Sequence, residues 1–214
     1  MSTDLRAQCA IAGLGQTRMG RNFDHQSASG FAAQAIDLAL EDAGLKRTDL
    51  DGLLVNPGLT WPDATMASFS LQQAMGLRDL TLSATMNIGG ATAAAMIMHA
   101  AHSIAAGMAK VVACVFADAP LKPPAPDQAK TGSAAAYGFA RGLNAAYGQF
   151  GVNAMYAFVA QRHMHLYGTK QDHLGAIAVA QRQWANLNPA AQLDRKSTRL
   201  NSSHELPSRM PSSA

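Results

Sequence analysis

Short apolar runs alternate with apolar residues at helical spacing along the first half of the chain. The runs predict buried strands over Cys9–Leu14, Asp51–Val55, Leu80–Thr85 and Lys110–Ala117. The spacing between the runs predicts three helices: one capped by Ser27 or Ser29 and ended by Gly44, one over Ala64–Met75, and one that follows Gly90 and ends at Gly107. This order of elements predicts an α/β fold with a mainly parallel sheet and helices on both faces.

The pattern breaks after Asp118. Prolines and glycines mark a long irregular excursion over residues 118–151, and a loop of that length inside a domain is usually functional. Two more helices are predicted within residues 152–190, over Asn153–Tyr167 and Gln171–Asn186. We therefore expect one domain over residues 1–193 and a separate tail over residues 194–214.

The tail resembles a translated sequencing adapter. Asp194–His204 matches the direct translation of what looks like a common short-read adapter, and Ser208–Ala214 matches the translation of its distal constant part. As a protein segment, the tail would be basic and disordered. We expect it to be an artefact without functional meaning, and we expect the natural chain to continue beyond Leu193.

The net charge changes once the tail is set aside. The whole chain is formally +3, and because the tail holds four basic and two acidic residues, residues 1–193 carry only +1. The isoelectric point of about 9.0 therefore reflects mostly the tail and gives no reason to expect nucleic-acid binding.

Targeting and membrane signals are weak. No apolar segment of the signal-peptide type follows Arg6. The segment Ala91–Ala109 is apolar, but His99, His102 and its small side chains fit a buried helix better than a membrane span. Both cysteines lie in strand-like runs, which predicts reduced core thiols in a cytoplasmic protein.

Two motifs resemble ligand sites only superficially. The run Gly13–Arg18 has arginine where a dinucleotide fingerprint needs its third glycine, so a plain tight turn fits it better. His163 and His165 lie two residues apart on a predicted helix, so their side chains face different directions. We expect no metal site on this evidence.

The turn Asn87–Gly90 carries the strongest functional signal. It follows a predicted strand and opens a helix of small residues, so its backbone N–H groups form a site for an anion or a developing oxyanion. A nucleophile at such a turn would occupy position 90, where this chain has glycine. The alternative is a close-packing turn whose glycines let the helix approach a neighbour.

The chain resembles the N-terminal half of the thiolase superfamily, especially the lipid-transfer-protein relatives of sterol-carrier-protein thiolases. The resemblance covers Cys9–Ala191 and rests on the order and spacing of several segments rather than on one motif. These segments are Ala12–Thr17, Leu38–Leu45, Asp49–Gly52, Ser103–Gly107, Arg162–Thr169, Ala178–Arg182 and Asn188–Ala190.

The resemblance implies a three-layer α/β/α half that is truncated before its last strand and before the second half of the fold. It places the family's nucleophilic cysteine at Gly90, where only the backbone N–H remains to polarise a thioester carbonyl. The family's loop histidine falls within Gln149–Gly151, a segment without histidine. We expect Asn87 and Gly89, together with Gln149, Phe150 and Gly151, to bind substrate.

Two functions follow from the resemblance. The intact parent is either an aldol-type carbon–carbon lyase on coenzyme A thioesters or a non-catalytic subunit that binds acyl-CoA or lipid. Coenzyme A enters as part of the substrate, and no covalently bound cofactor is expected. A homodimer is implied, and some cysteine-less relatives work with a small OB-fold partner. We expect the 214 residues alone to be inactive, because apolar faces that meet the second half would be exposed.

The adapter hypothesis predicts the outcome of long-read sequencing across the source locus. We expect the reading frame to continue past the codon for Leu193 into a second α/β half. A genomic frame that encodes residues 194–214 and then stops would contradict the hypothesis and identify the chain as a natural half-thiolase.

Overall fold

The computed structural model describes residues 8–18, 26–119, 147, 152–189 and 191. The chain divides into two units, Met1–Ala136 and Tyr137–Ala214. Within the described residues, the first unit contains strands β1 (Gly52–Pro57), β2 (Leu82–Thr85) and β3 (Val112–Ala117), and helices α1 (Ala28–Ala43), α2 (Ala67–Met75) and α3 (Thr92–Ala105). Single 3-10 turns cover Arg47–Asp49 and Gly89–Ala91.

The three strands form one parallel sheet in the order β2-β1-β3. Gly52 at the start of β1 pairs with Leu82 on one side and with Val112 on the other. Because all three strands run the same way, their carboxyl ends meet at one edge of the sheet. The predicted α/β fold with a parallel sheet is confirmed.

The central strand β1 is buried on both faces. Leu53 and Val55 pack into a cluster with apolar residues of α1 and α2, whereas Leu54 packs with Met96 and Ala100 of α3. Side chains of a strand alternate between its faces, so this division places α1 and α2 on one side of the sheet and α3 on the other. The first unit therefore has the predicted helix–sheet–helix layers.

Local capping sets the helix boundaries. The Gly30 N–H donates to Ser27 Oγ at 3.0 Å, which confirms Ser27 as the N-cap of α1, and the helix ends at Gly44 as predicted. Helix α2 begins at Ala67 rather than at the predicted Ala64. The reason is Asp63. Its Oδ1 accepts the N–H groups of Thr65 and Met66 and holds these two residues in a turn.

The predicted strand Cys9–Leu14 is wrong, because none of the described residues 8–18 is in a strand. The Leu14 N–H donates to Asp42 Oδ2 at 2.9 Å instead of entering a ladder. This segment passes very close to α1: a Cβ on Gly15 would lie 2.0 Å from the carbonyl oxygen of Ala35. The predicted burial of this run is wrong as well, since Ile11 is 69% and Leu14 is 78% exposed, so the apolar composition of the run decides neither its conformation nor its burial.

The other strands begin or end within two residues of their predicted limits. The predicted excursion after Asp118 lies almost entirely outside the described residues, as does the whole tail over residues 194–214. The second unit contains helices α4 (Val152–Tyr167) and α5 (Gln171–Ala185), each within one residue of its prediction.

Asp51 organises the amino edge of the sheet. Its carboxylate accepts the N–H groups of Lys110 and Val111 at 2.8–2.9 Å, just before β3 begins. Its backbone carbonyl accepts the Thr81 N–H at 2.8 Å, just before β2 begins. One residue thus fixes the start of both outer strands relative to β1.

We expect Asp51→Ala to lower the free energy of unfolding by about 1–3 kcal/mol, because two backbone N–H groups lose their acceptor. Urea denaturation of the protein measures the effect. The exposed Asp79 provides the control, since Asp79→Ala should change stability by less than about 0.5 kcal/mol. Equal midpoints for the two variants would show that Asp51 has no such role.

Candidate functional site at the carboxyl edge of the sheet

The turn between β2 and α3 is held by a buried threonine. Thr92, whose exposed fraction is 1%, accepts the Ile88 N–H at 2.9 Å and donates its hydroxyl to the Gly89 carbonyl at 2.6 Å. The turn is tied to the sheet by the Met86 N–H, which donates to the Val55 carbonyl at 2.9 Å. These bonds fix where the first N–H groups of the helix lie.

The asparagine of the turn also has a structural contact. Asn87 Oδ1 accepts the Gly89 N–H at 3.3 Å, a bond that stabilises a tight turn. The carbonyl oxygen of this side chain is therefore engaged within the turn. A role of Asn87 in substrate binding stays a prediction, and its Nδ2 group is the part of the side chain outside this bond.

The two glycines of the turn differ in conformation. Gly89 has a φ of 64°, in the left-handed region that favours glycine. Gly90 has no positive φ, and a Cβ built on it would meet no atom of the described residues within 4 Å. The backbone therefore requires glycine at position 89 but would accept a side chain at position 90.

The backbone N–H of Gly90 is a free donor within the described part of the chain. The N–H groups of Ile88 and Gly89 are used inside the turn, and the Thr92 N–H donates to the Gly89 carbonyl. Gly90 itself is exposed, and no described atom accepts its N–H. At the start of a 14-residue helix, this donor carries part of the positive end of the helix dipole.

An aspartate that the sequence analysis used only as a boundary also lies at this edge. Asp118 directly follows β3, and its carboxylate accepts the N–H groups of Leu59 and Thr60 at 2.9 and 3.0 Å. An acid immediately after a parallel strand is the sequence signal that could have identified it, since ligand sites of such sheets form at that edge.

Three predicted binding residues cannot be placed. Gln149, Phe150 and Gly151 lie outside the described residues, so their role in binding stays a prediction. One turn holds the other three predicted site residues, Asn87, Gly89 and Gly90. They are close neighbours in the sequence, and the bonds described above fix the turn.

The histidines of the second unit have local partners. His163 Nδ1 lies 2.9 Å from Thr169 Oγ1, and the His163 ring packs against the Tyr167 ring with centroids 4.7 Å apart. His173 Nδ1 accepts the Lys170 N–H at 3.4 Å. In the part of the chain that the structure describes, no three His, Cys, Asp or Glu side chains come together as a metal site would need.

The two cysteines are free thiols. Cys9 is partly buried and lies 3.5 Å from the Ala101 carbonyl oxygen. Cys114 reaches solvent, which corrects the expectation of a core thiol, because it lies on β3 at the edge of the described sheet. The protein atoms around it still desolvate the thiolate and raise the pKa of Cys114 to about 11.

Among the described residues, no helix combines the length and the hydropathy that crossing a bilayer requires.

No protein-family model matches the chain. The chain is 34% identical over 190 residues to the 17-hydroxy-3-oxo-4-pregnene-20-carboxyl-CoA lyase of Mycobacterium tuberculosis. The aligned region covers 87% of this chain and 48% of the lyase. Its structure is similar to the Ltp2-ChsH2(DUF35) aldolase, with a TM-score of 0.71 at 29% identity over 90% of this chain and 47% of the other. For the acetyl-CoA acetyltransferase of Syntrophomonas wolfei, the TM-score is 0.57 at 18% identity, and the match covers 82% of this chain and 46% of the acetyltransferase.

These similarities relate the chain to thiolase-like proteins, and its α/β fold is thiolase-like. The chain spans about half the length of the relatives it matches.

The different conformations of the two glycines predict different tolerance to substitution. We expect Gly89→Ala to lower the free energy of unfolding by about 1–2 kcal/mol, because a Cβ strains the left-handed backbone. We expect Gly90→Ala to change it by less than about 0.5 kcal/mol. Thermal unfolding of the two variants side by side makes the comparison, and a larger loss for Gly90→Ala would contradict the described geometry.

Proposed function

We propose that the natural protein containing this chain is an aldol-type carbon–carbon lyase that acts on coenzyme A thioesters. The observation that carries the proposal is Gly90, which offers a free backbone N–H at the start of α3 and no side chain. The similarity to a lyase whose name specifies a carboxyl-CoA compound supports both the reaction type and the substrate class.

Covalent acyl transfer from this position is ruled out by chemistry. Transfer of an acyl group from a thioester to an enzyme needs a nucleophilic side chain, and Gly90 has no side chain. Neither free cysteine replaces it, since Cys9 lies beside α3 rather than at its start, and the raised pKa of Cys114, about 11, keeps that thiol protonated near neutral pH. A lyase needs no nucleophile of this kind.

The proposed reaction places negative charge where Gly90 can receive it. In a retro-aldol cleavage, a base removes the proton of the β-hydroxyl group, the bond between Cα and Cβ breaks, and Cβ becomes a carbonyl carbon. The bonding electrons move to the thioester as an enolate, whose oxygen carries the charge until Cα is protonated. The Gly90 N–H would donate a hydrogen bond to that oxygen, as an oxyanion hole does.

Other parts of the site are assigned on the resemblance. Asn87 and Gly89 shape the turn and line the thioester end of the site, and Gln149, Phe150 and Gly151 would contact the substrate from the excursion after β3. The base and the acid that complete the cycle would belong to the part of the natural protein beyond residue 193. Coenzyme A is then part of the substrate rather than a resident cofactor.

The proposed assembly is a homodimer with a small OB-fold partner. The name of the Ltp2-ChsH2(DUF35) aldolase joins two components, which supports a partner for this protein. A non-catalytic acyl-CoA-binding subunit remains the second candidate, because the same N–H could hold a thioester carbonyl without any turnover. Lyase assays separate the two functions.

We expect the purified natural protein to cleave a β-hydroxyacyl-CoA into a carbonyl product and a shorter acyl-CoA. Gly90→Pro should lower kcat by roughly 10²–10³-fold, because it removes one oxyanion donor. Gly90→Ala is the matched control, since it keeps the N–H and should stay within a few-fold of the parent. Mass spectrometry of the acyl-CoA products measures both rates.

Proline is tolerated in the first turn of a helix, and the unfolding temperature of Gly90→Pro, compared with that of Gly90→Ala, shows whether this turn accepts it. Binding of acyl-CoA without cleavage would favour the non-catalytic subunit. Thiolysis of acetoacetyl-CoA by the unmodified protein would contradict the claim that glycine at position 90 disables acyl transfer.

A further inference from the structure

Asp118 makes several hydrogen bonds across the carboxyl edge of the sheet. Besides the N–H groups of Leu59 and Thr60, its Oδ1 accepts the Thr60 hydroxyl and the N–H of Ala119 at 2.9 Å. The Thr60 hydroxyl also accepts the Ala119 N–H at 2.9 Å. The end of β3 is thereby bonded to the loop that leaves β1.

That loop, Gly58–Met66, is fixed at both of its ends. At its start, the Gly58 N–H and the buried Trp61 Nε1 donate to the Ala117 carbonyl at 3.1 and 2.8 Å. After it, the Ser68 N–H of α2 donates to Thr85 Oγ1 at 3.0 Å, at the end of β2. The loop therefore runs along the carboxyl edge from β3 to β2.

The loop and the turn that carries Gly90 lie at the same edge of the sheet, because the loop follows β1 and the turn follows its parallel neighbour β2. Thr85, which bonds the start of α2, is the last residue of β2 and lies just before the turn. The loop is anchored by polar groups, yet it leaves apolar side chains in solvent: Leu59 is 54% and Met66 is 48% exposed. Sites for small molecules combine such apolar walls with a few placed polar donors.

We propose that Asp118 is a positioning residue, which holds loop Gly58–Met66 beside the Gly90 turn so that Leu59 contacts the acyl group of a bound thioester. This inference rests on the proposed function, since it assumes that the Gly90 N–H binds the thioester carbonyl. The carbonyl is then fixed at the turn, and an acyl group longer than acetyl extends along the loop. Asp118 touches neither the carbonyl nor the acyl group.

The acyl-length dependence of binding tests the proposal in the natural protein. The probes are acetyl-CoA and decanoyl-CoA, whose dissociation constants are measured by isothermal titration calorimetry. We expect Asp118→Ala and Thr60→Val to weaken decanoyl-CoA binding by about tenfold and acetyl-CoA binding by less than about twofold. Thr60→Ser keeps the hydroxyl and should restore the affinity for decanoyl-CoA.

Asp51→Ala is the matched control, because it removes the same kind of carboxylate-to-backbone bonds at the opposite edge of the sheet. It should lower the unfolding temperature without changing the ratio of the two dissociation constants. A general loss of folded protein reduces the binding stoichiometry for both probes alike, so it does not imitate the expected result. Thr60→Val covers the case in which Asp118→Ala fails to fold.

The outcomes separate this inference from the function it rests on. If the unmodified protein binds neither probe, the proposed function fails together with this inference. If it binds both, and the Thr60 and Asp118 variants keep its ratio of dissociation constants, then only the positioning role is overturned. An equal loss for both probes would likewise overturn it, because the loop would then act on the thioester end.

Discussion

Strand β1 is buried on both faces, so its backbone N–H and C=O groups need hydrogen-bond partners within the protein. Leu53, Leu54 and Val55 are fully buried, and the two layers of helices cover them from opposite sides. The ladders to β2 and β3 satisfy the middle of the strand. Carboxylates supply acceptors around its ends, Asp51 at the amino edge and Asp118 at the carboxyl edge.

The same requirement makes the two edges of the sheet differ. The amino edge is closed by Asp51, whose carboxylate and carbonyl are both used by the flanking strands. At the carboxyl edge, the chain instead turns outward into a helix, and the first N–H groups of that helix cannot all be satisfied from within it. The Gly90 N–H is one of them, and the turn leaves it exposed. The free donor at this edge is thus a consequence of helix geometry.

Much of the fold could be predicted because it depends on local patterns. The alternation of apolar runs and helical spacing located three strands and five helices within the described residues, and Ser27 and Gly44 marked the limits of α1. The turn before α3 was equally visible, since its asparagine and glycines are neighbours in sequence. The predicted strand Cys9–Leu14 failed because packing against α1, rather than local preference, decides its conformation. Asp118 was missed because its partners lie almost 60 residues away.

The shape of the turn depends on Asn87, Gly89 and Thr92, and on no atom that a side chain at position 90 would displace. The residue at position 90 can therefore change during evolution while the surrounding turn is retained. Two of the four glycine codons become cysteine codons by a single base change. A lineage with this turn could thus gain or lose a thiol nucleophile in one mutational step, without a less stable intermediate between the two chemistries.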